Sequence, residues 1–427
     1  MSRRGGRETF AALRVPNFRL YFAGQSVSLV GTWMQAVAQS WLVLQLTGSG
    51  TVLGLVVAAQ FLPVLLLGPY GGLIADRADK RHLLMATQTA LAALALLLGL
   101  LTATHLVRLW IVVLLAVVLG TVSAVDNPTR QTFVPEVIGP HLLRGAVSLN
   151  SVMTNTARAI GPALAGVLIA SVGVGVCFLA NAASFAAVLL ALRIMRTGQL
   201  QPSPALQKAP GQLAAGLRYV RGTPGLWAPL AMMALIGTLA YEFQVVIPLL
   251  ARTGAHGDAR TYGFMASAMG LGAVAGGLTV AAYGRAGVVP LIGAAASFAA
   301  ALTAAAAVTP WLPVELVALA CVGMGGTVFL ATGNTTLQLV ADPSFRGRVM
   351  ALWSVTFLGS TPVGGPIVGA VAEHLGPRAG LGLGAAACLA AVVLGLLVLP
   401  RIPPRHRFLE TLAAPDPPPA LTETDRT

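Results

Sequence analysis

Long apolar runs alternate with short polar turns along almost the whole chain. A helix that crosses a bilayer needs roughly 20 apolar residues, and the runs reach about that length. The pattern therefore predicts an all-α membrane protein of twelve transmembrane helices with no separate soluble domain. The predicted spans lie at about 17–46, 51–75, 82–104, 107–126, 145–172, 175–195, 227–250, 261–282, 287–308, 311–337, 349–373 and 379–399.

A polar segment divides the predicted helices into two sets of six. Pro202, Pro204 and Pro210 interrupt any continuous helix there, so the segment is the natural boundary between two bundles. Prolines and charges dominate the end of the chain, which predicts disorder. The expected units are an N-terminal cytoplasmic tail at 1–16, a bundle at 17–195, a cytoplasmic linker at 196–226, a bundle at 227–399 and a disordered cytoplasmic tail at 400–427.

The two halves share short strings in the same order, at offsets of 202 to 207 residues. Such spacing indicates a duplicated six-helix unit and hence two pseudo-symmetric bundles. In transporters built from such repeats, the substrate site lies near mid-bilayer between the repeats. The matching strings are Gly71-Gly72-Leu73 with Gly276-Gly277-Leu278, Asn127 to Gln131 with Asn334 to Gln338, Arg144-Gly145 with Arg346-Gly347, and Gly161-Pro162 with Gly365-Pro366.

The composition and charge agree with a membrane protein. Hydrophobic residues make up 56% of the chain and charged residues 10%, and the mean hydropathy is +0.79. The net charge of +13 is spread over loops and tails, which argues against a nucleic-acid partner. On the predicted layout, 22 of the 27 Lys and Arg residues lie on one side. The positive-inside rule assigns that side, with both termini, to the cytoplasm.

Charges are concentrated in the turn between the second and third spans. This turn must face water, and we expect it to form a gate when the neighbouring helix ends close together. Asp126 is expected to pair with Lys80 or Arg81, and Asp76 to stabilise the start of the eleventh span near 346–350. The alternative is that these charges are merely solvated at the surface. The predicted gate residues are Gly72, Asp76, Arg77, Lys80, Arg81 and Asp126.

Polar side chains follow one face of the first span at helical spacing. Gln25, Ser28, Thr32, Gln35 and Gln39 are separated by steps of three and four residues. Such a face avoids lipid, and its donors and acceptors suit a polar or amphipathic solute in a water-filled cleft. The alternative is hydrogen bonding between helices that only holds the bundle together.

A second polar stripe, Asn150, Thr154 and Arg158, follows the fifth span. An arginine near the bilayer centre costs at least about 2.5 kcal/mol, so it needs a partner, a wet cavity or an anionic ligand. The alternative is a cation satisfied by helix carbonyls and water. We assign this stripe, together with Thr32, Gln35 and Gln39, to substrate binding.

Glu242 is the acid placed well inside another span, the seventh. Burial favours the protonated carboxyl group, and opening to water favours the carboxylate. We expect Glu242, with Arg158, to couple proton movement to transport; the alternative is a carboxylate solvated near the outer end.

Small residues next to a proline occur in matching spans of the two halves. We expect close helix packing at these positions, with bending or rocking of the helices as a functional addition; the alternative is packing alone. The positions are Gly161, Pro162, Gly166, Gly365, Pro366 and Gly369.

Several strings resemble those of a known family. Gly72 to Arg77 with Lys80-Arg81 resembles the loop signature of the major facilitator superfamily, although Asp79 stands where that family usually has glycine. Arg158 to Gly166 is similar to the motif associated with exporters and antiporters. Longer strings are similar to the enterobactin-exporter-like branch, which includes macrolide-efflux relatives. They are Asn17 to Phe22, Gly31 to Gln35, Asp126 to Gln131 and Asn181 to Phe185.

The resemblance implies the major facilitator fold, a bacterial inner membrane and proton-driven efflux of small siderophore- or drug-like molecules. An importer or lipid flippase of the same fold, and a non-transporting sensor, remain alternatives. We expect a monomer in the bilayer. No cofactor or metal is expected, because Cys177, Cys321 and Cys388 have no metal-ligand neighbours. Neither an ATP-binding P-loop string nor a nucleophile with its base occurs, so an enzyme is not expected.

Overall fold

The computed structural model describes residues 10–201, 212–254, 257–307 and 311–409. Within this part of the chain, twelve helices are long and apolar enough to cross a membrane. The prediction of an all-α membrane protein with twelve spans is confirmed. The helices are α1 Pro16–Thr47, α2 Gly50–Arg77, α3 Lys80–Ala103, α4 Leu109–Ile138, α5 Gly145–Val172, α6 Val174–Ile194, α7 Pro224–Thr253, α8 Ala259–Tyr283, α9 Val288–Ala307, α10 Leu312–Val340, α11 Arg346–His374 and α12 Pro377–Arg401.

Local sequence accounts for where several helices begin and end. Ser49, Asp79 and Asp258 each accept a hydrogen bond from a backbone N–H in the first turn of α2, α3 and α8. Gly48 adopts φ +67° after α1, a left-handed conformation that ends the helix with little strain in glycine. Asp79 thus caps α3 in the position where the resembling family usually has glycine.

The two bundles repeat one another in how their helices pack. In the first bundle, a Cβ added to Gly71 of α2 would lie 2.0 Å from the carbonyl oxygen of Ala124 in α4. In the second, a Cβ on Gly276 of α8 would lie 2.6 Å from the carbonyl oxygen of Met324 in α10. The recurrent Gly-Gly-Leu string therefore marks the same close helix approach in both halves.

The bundles meet through glycines on α2 and α11. A Cβ on Gly54 would lie 2.1 Å from the carbonyl oxygen of Gly365, and one on Gly369 would lie 2.3 Å from that of Gly50. A similar approach joins α5 to α8, where a Cβ on Gly263 would lie 2.8 Å from the Cα of Gly166. These contacts occupy one end of the molecule, which we call the far end. The opposite end, with the turn between α2 and α3, is the basic end.

Toward the basic end, α2 and α11 separate. Gly72 lies 18 residues, or five helical turns, beyond Gly54 and therefore on the same face of α2. Gly347 has the same relation to Gly365 on α11. A Cβ built on Gly72 or Gly347 would meet no atom of the described residues within 4 Å. The faces that touch at the far end are thus apart about 27 Å further along, and a cleft opens at the basic end.

Two helices differ from the predicted layout. The fourth span was expected to end at residue 126, but α4 continues to Ile138 because Asp126 is buried and hydrogen-bonded rather than at a water-facing end. Arg130 therefore lies within a helix and not in a loop. The seventh span begins at Pro224 and is interrupted after Ala240, resuming at Phe243.

Part of the predicted disordered tail is ordered. After α12 the chain forms a short helix at Pro404–Arg407, and Ile402 is buried because its side chain joins the main hydrophobic core. The backbone N–H of Leu409 donates to the carbonyl oxygen of Ala286 at 2.9 Å, which fixes this segment to the turn after α8. Residues 410–427, like 1–9 of the first tail and 202–211 of the linker, lie outside the described residues.

We expect Gly54→Val to destabilise closure at the far end, because its side chain would overlap the carbonyl oxygen of Gly365. In a Cys321→Ser background, Ala36→Cys in the central cavity reports access to impermeant thiol reagents. Gly54→Val should increase labelling from the far end several-fold, with Gly54→Ala as a milder variant. The matched control is Gly68→Val on the same helix, where a Cβ has open space. Equal labelling of both valine variants would refute the prediction.

We expect Asp79→Ala to destabilise the protein by about 1 kcal/mol through loss of the cap on α3. The N–H of His82 donates to Asp79 at 3.0 Å and lowers the pKa of that carboxyl below its usual value. A lowered pKa stabilises the fold above the unfolded pKa, and this gain disappears as the pH falls through the folded pKa.

The stability difference between parent and Asp79→Ala should therefore shrink in acid. Thermal unfolding in detergent from about pH 7 down to about pH 3 measures it. Asp79→Asn keeps an acceptor, so its stability difference from Asp79→Ala should change little with pH. A parent-to-alanine difference that is constant across this range would contradict the prediction.

Candidate functional site

A cavity of about 320 Å³ lies between the two bundles. Its walls come from α1, α2 and α5 on one side and from α7, α8, α10 and α11 on the other. Phe61 and Phe357 line it about two turns from the Gly54 and Gly365 contact, on the side of the basic end. The cavity therefore lies directly beneath the far-end closure, within the seam that the internal repeat predicts.

Six aromatic side chains line the cavity. Tyr241 packs edge-on against Phe357, with ring centroids 5.6 Å apart, and its hydroxyl group donates to the carbonyl oxygen of Gly326 at 2.5 Å. The hydrogen bond fixes the ring, so the wall is shaped before any solute binds. Such a surface suits planar or apolar parts of a small molecule. The aromatic lining residues are Trp33, Phe61, Tyr241, Phe243, Tyr262 and Phe357.

Arg158 and Glu242 line this cavity from opposite bundles. The Arg158 guanidinium lies over the ring of Trp33, 5.0 Å from its centroid, and its buried Nε has no hydrogen-bond partner among the described residues. Glu242 is 3% exposed, and within the same part of the chain its Oε1 also has no hydrogen-bond partner. In the part of the chain that the structure describes, the two side chains form no salt bridge with each other. Unsatisfied buried polar atoms are costly, so water or a ligand must meet both groups.

The interruption of α7 places Glu242 in the cavity. The first piece of the helix ends at Ala240, and Tyr241 and Glu242 have non-helical backbone before the helix resumes. Gly364 on α11 lies opposite, where an added Cβ would approach Oε1 of Glu242 to 2.9 Å. The missing side chain therefore provides the space that the carboxyl group occupies. Non-helical backbone at membrane depth is tolerated where it lines such a cavity.

The first polar stripe is not part of the cavity wall. Asn181 of α6 donates to Oε1 of Gln35 at 2.6 Å, and Gln39 donates to Oε1 of Gln60 at 3.0 Å. Thr32 donates to a carbonyl oxygen of its own helix. Thr32, Gln35 and Gln39 thus do not line the central cavity, and neighbouring helices of the same bundle satisfy the two glutamines. Their role in substrate binding stays a prediction.

The second stripe extends along α5 from the cleft into the cavity. Arg158 lines the central cavity, whereas Asn150, two turns nearer the basic end, lines a second one. Thr154 lies between them and donates to the carbonyl oxygen of Asn150 at 2.9 Å. The structure thus brings Arg158 and Glu242 to one site and separates Asn150 from it.

The expected pairing of Asp126 with Lys80 or Arg81 is wrong. Asp126 is fully buried and accepts hydrogen bonds from Thr87 at 2.7 Å and Gln88 at 2.8 Å. Arg130 lies one turn further along α4 and forms a salt bridge with Asp126, with its Nη2 2.5 Å from Oδ2. Because α3 and α4 are antiparallel, Asp126 faces the second turn of α3 rather than its start.

The start of α3 is fixed by other groups. Lys80 forms a salt bridge with Glu136, with Nζ 2.5 Å from Oε1. Arg81 donates from Nε to the carbonyl oxygen of Leu192 in α6 at 2.7 Å. Glu136 lies ten residues beyond Asp126, or about 15 Å along α4, which is why the sequence-based pairing was misplaced. The gate role of the turn remains a prediction.

A contact between the bundles at the far end was not anticipated. Glu373 of α11 accepts hydrogen bonds from the hydroxyl of Ser49 at 2.7 Å and from the N–H of Thr51 at 2.8 Å. Arg252 donates to the carbonyl oxygen of Leu44 at 2.5 Å. A capping serine at the start of α2 was visible in the sequence, but its partner lies 324 residues away. These bonds reinforce the glycine contacts and must break before the far end opens.

Metal ligation has no candidate in the described ranges, where no group of three or more His, Cys, Asp or Glu side chains is placed to hold an ion. The chemistry of the site thus rests on its aromatic walls, one guanidinium and one carboxyl group. Such a set suits non-covalent binding and proton exchange.

The chain matches the transmembrane secretion effector family over residues 7–420. It is 33% identical to the staphyloferrin A transporter of Staphylococcus aureus over 176 residues, which cover 41% of this chain and 44% of that protein. It is 26% identical to the enterobactin exporter EntS of Citrobacter koseri over 421 residues, covering 94% of this chain and 95% of that protein. The fold matches a bacterial homolog of the human lysosomal transporter Spinster with a TM-score of 0.71 and 14% identity, over 92% of this chain and 97% of that chain.

We expect reversal of the Lys80 and Glu136 charges to test the observed pairing at the start of α3. Lys80→Glu alone should destabilise the protein by about 3–5 kcal/mol, because two mostly buried carboxylates then face each other. Adding Glu136→Lys should restore much of that loss, measured by unfolding in detergent. Lys80→Gln and Asp126→Asn should be additive, since those residues do not touch. A double swap as unstable as the sum of its singles would contradict this pairing.

Proposed function

The chain belongs to the transmembrane secretion effector family of the major facilitator superfamily, and from that premise we propose that it exports small amphipathic molecules by alternating access. We further propose that the cargo is siderophore- or drug-like and that export is coupled to proton antiport. Both the family and the structurally similar proteins indicate a multi-pass membrane transporter and not an enzyme.

The observation that carries the proposal is the pair of unsatisfied polar groups in the seam. Arg158 and Glu242 come from different bundles, and each has a buried polar atom without a partner beside aromatic walls. An amphipathic solute fits such a site: its apolar part contacts the rings, and an anionic oxygen contacts the guanidinium. Because the far end is closed and the basic end is open, the site communicates with one side of the membrane.

The proposed coupling uses Glu242 as the proton carrier. Its position beside Gly364 and Gly365 makes its surroundings depend on how closely α7 and α11 approach α2. When the far end opens, water reaches the carboxyl group and it exchanges its proton with that side. When the basic end opens, as here, the proton is released toward the other side and the cargo binds.

The proposed orientation places the basic end in the cytoplasm of a bacterium, with both termini there and the chain in the inner membrane as a monomer. The positive-inside rule supports this assignment. In the alternate state, Gly72 and Gly347 would meet as Gly54 and Gly365 do here, which would bring Asp76 to the start of α11. This is the gate that the charged turn predicts.

A non-transporting sensor is the second candidate, favoured by the packed first stripe of α1. Gln35 and Gln39 bind neighbouring helices as a rigid bundle requires. The seam cavity favours transport instead, since a sensor has no need for a guanidinium and a carboxyl group that each keep an unsatisfied buried atom.

We expect Arg158→Ala and Glu242→Gln to impair transport in different ways. Inverted vesicles, acidic inside, are offered a panel of siderophores and antibiotics. Arg158→Ala should weaken the apparent affinity for a transported anionic compound by about tenfold or more, through loss of a charged hydrogen bond. Glu242→Gln should abolish the dependence of uptake on the pH gradient while leaving exchange of loaded substrate.

Glu315→Gln is the matched control. Glu315 is also a buried carboxyl group, but it lies on α10 opposite Arg378, 3.4 Å away and outside the central cavity. Its loss should leave the pH-gradient dependence of uptake intact. Unchanged uptake of a confirmed substrate in both Arg158→Ala and Glu242→Gln would overturn the site assignment.

A further inference from the structure

A second cavity, of about 440 Å³, lies at the basic end of the first bundle. It is bounded by α1, α4 and α5, whereas the central cavity lies in the seam between the bundles. Its volume falls in the range of sites that hold drug-sized molecules. It opens where a solute arriving from the basic end first meets the protein.

The polar groups on its wall are rich in hydrogen-bond donors. Tyr21 and Ser151 contribute hydroxyls, Arg130 a guanidinium, and Gln131 and Asn150 carboxamides, and no carboxylate lies on this wall among the residues that the structure describes. Val147 and its apolar neighbours form the remaining surface. A wall with donors on one part and hydrocarbon on the other matches an amphipathic molecule that carries an anionic oxygen group.

The guanidinium of Arg130 is held in place on one edge. Its Nη2 donates to Asp126, which is itself fixed by Thr87 and Gln88. Within the described ranges this is the hydrogen bond that Arg130 makes, so its other N–H groups are available to a ligand. Its side chain is 28% exposed, while that of Asp126 is 1% exposed. The guanidinium therefore presents fixed donors to the cavity, whereas the Asp126 carboxylate that holds it is buried and does not line the cavity.

We propose that this cavity is the entrance site for the cargo, and that it binds the carboxylate of an amphipathic molecule on the free edge of Arg130. The direction of passage rests on the proposed function; the binding itself does not. It adds a requirement to the cargo, namely a carboxylate next to an apolar body of moderate size.

One face of α5 connects the entrance site to the central cavity. Asn150 lines the first and Arg158 the second, and Thr154 lies midway on the same face. The eight residues from Asn150 to Arg158 span about 12 Å of helix. A carboxylate leaving Arg130 therefore passes polar side chains before it reaches a second guanidinium. The stripe provides polar side chains along one face of α5 between the two cavities.

Binding of 2-naphthoate and its uncharged counterpart 2-naphthamide to purified protein, measured by equilibrium dialysis, tests the proposal. The parent should bind two naphthoates per chain and the amide at least about tenfold more weakly. Asp126→Asn with Arg130→Gln removes both charges and keeps polar side chains at both positions, and it should lose one of the two sites. Arg158→Ala should lose the other.

A second pair of variants guards against misfolding of the first. Val147→Trp fills the entrance cavity without touching the ion pair and should also lose one naphthoate. Val152→Trp is the control on the same helix: the two valines are 55% and 59% exposed, but Val152 is outside this wall. Binding of two naphthoates by both Val147→Trp and the double variant would overturn the proposal.

Two further outcomes separate this proposal from its neighbours. If the parent binds two naphthoates but transports no compound of the siderophore and antibiotic panel, the proposed function is refuted and the entrance site is supported. Repeating the titration in nanodiscs with and without phosphatidylglycerol distinguishes a lipid headgroup site. If the anionic lipid displaces naphthoate from the site that Arg130 forms, and the neutral lipid does not, the cavity binds headgroups and the proposal fails.

Discussion

At the far end, the two bundles are held together by backbone against backbone. Gly54 and Gly365 allow an approach that no side chain would permit, and the hydrogen bonds from Ser49 and Thr51 to Glu373 surround it. Close backbone packing and short hydrogen bonds are lost within a small separation of the two helices, so this end is either closed or open. Because they occupy one end of α2 and α11, the rest of these helices can separate, and the separation creates both the cleft and the cavity beneath the closure.

The burial of polar groups distinguishes the framework from the site. Within the first bundle, Gln35, Gln39 and Asp126 are each met by partners on neighbouring helices. At the seam, Arg158 and Glu242 keep unsatisfied atoms. Apolar surroundings make such atoms costly, so a membrane protein retains them where water or a solute arrives. Aromatic side chains are not costly in apolar surroundings, so the aromatic walls alone would not identify a transport site.

The twelve spans were predictable because the length of an apolar run is set by the thickness of the bilayer. Arg158 and Glu242 were predictable for a related reason, since charges inside such runs stand out. The partners of Gln35 and Asp126 were not, because helical periodicity tells which residues share a face but not which helix that face meets. The interruption of α7 was also missed, because the space for its carboxyl group depends on Gly364 of another helix, which lacks a side chain.

The interruption has a mechanical consequence. The longer piece of α7, Pro224–Ala240, packs on α11 and α12, whereas Phe243–Leu249 also packs on α1 and α2 of the other bundle. A continuous rod would have to break one of these sets of contacts whenever the bundles rotate. With a joint at Tyr241 and Glu242, the longer piece can stay packed on α11 and α12 while the shorter piece, which packs on both bundles, changes its orientation. In the proposed cycle, rotation of the bundles would therefore turn the carboxyl group directly, without a relay of intermediate side chains.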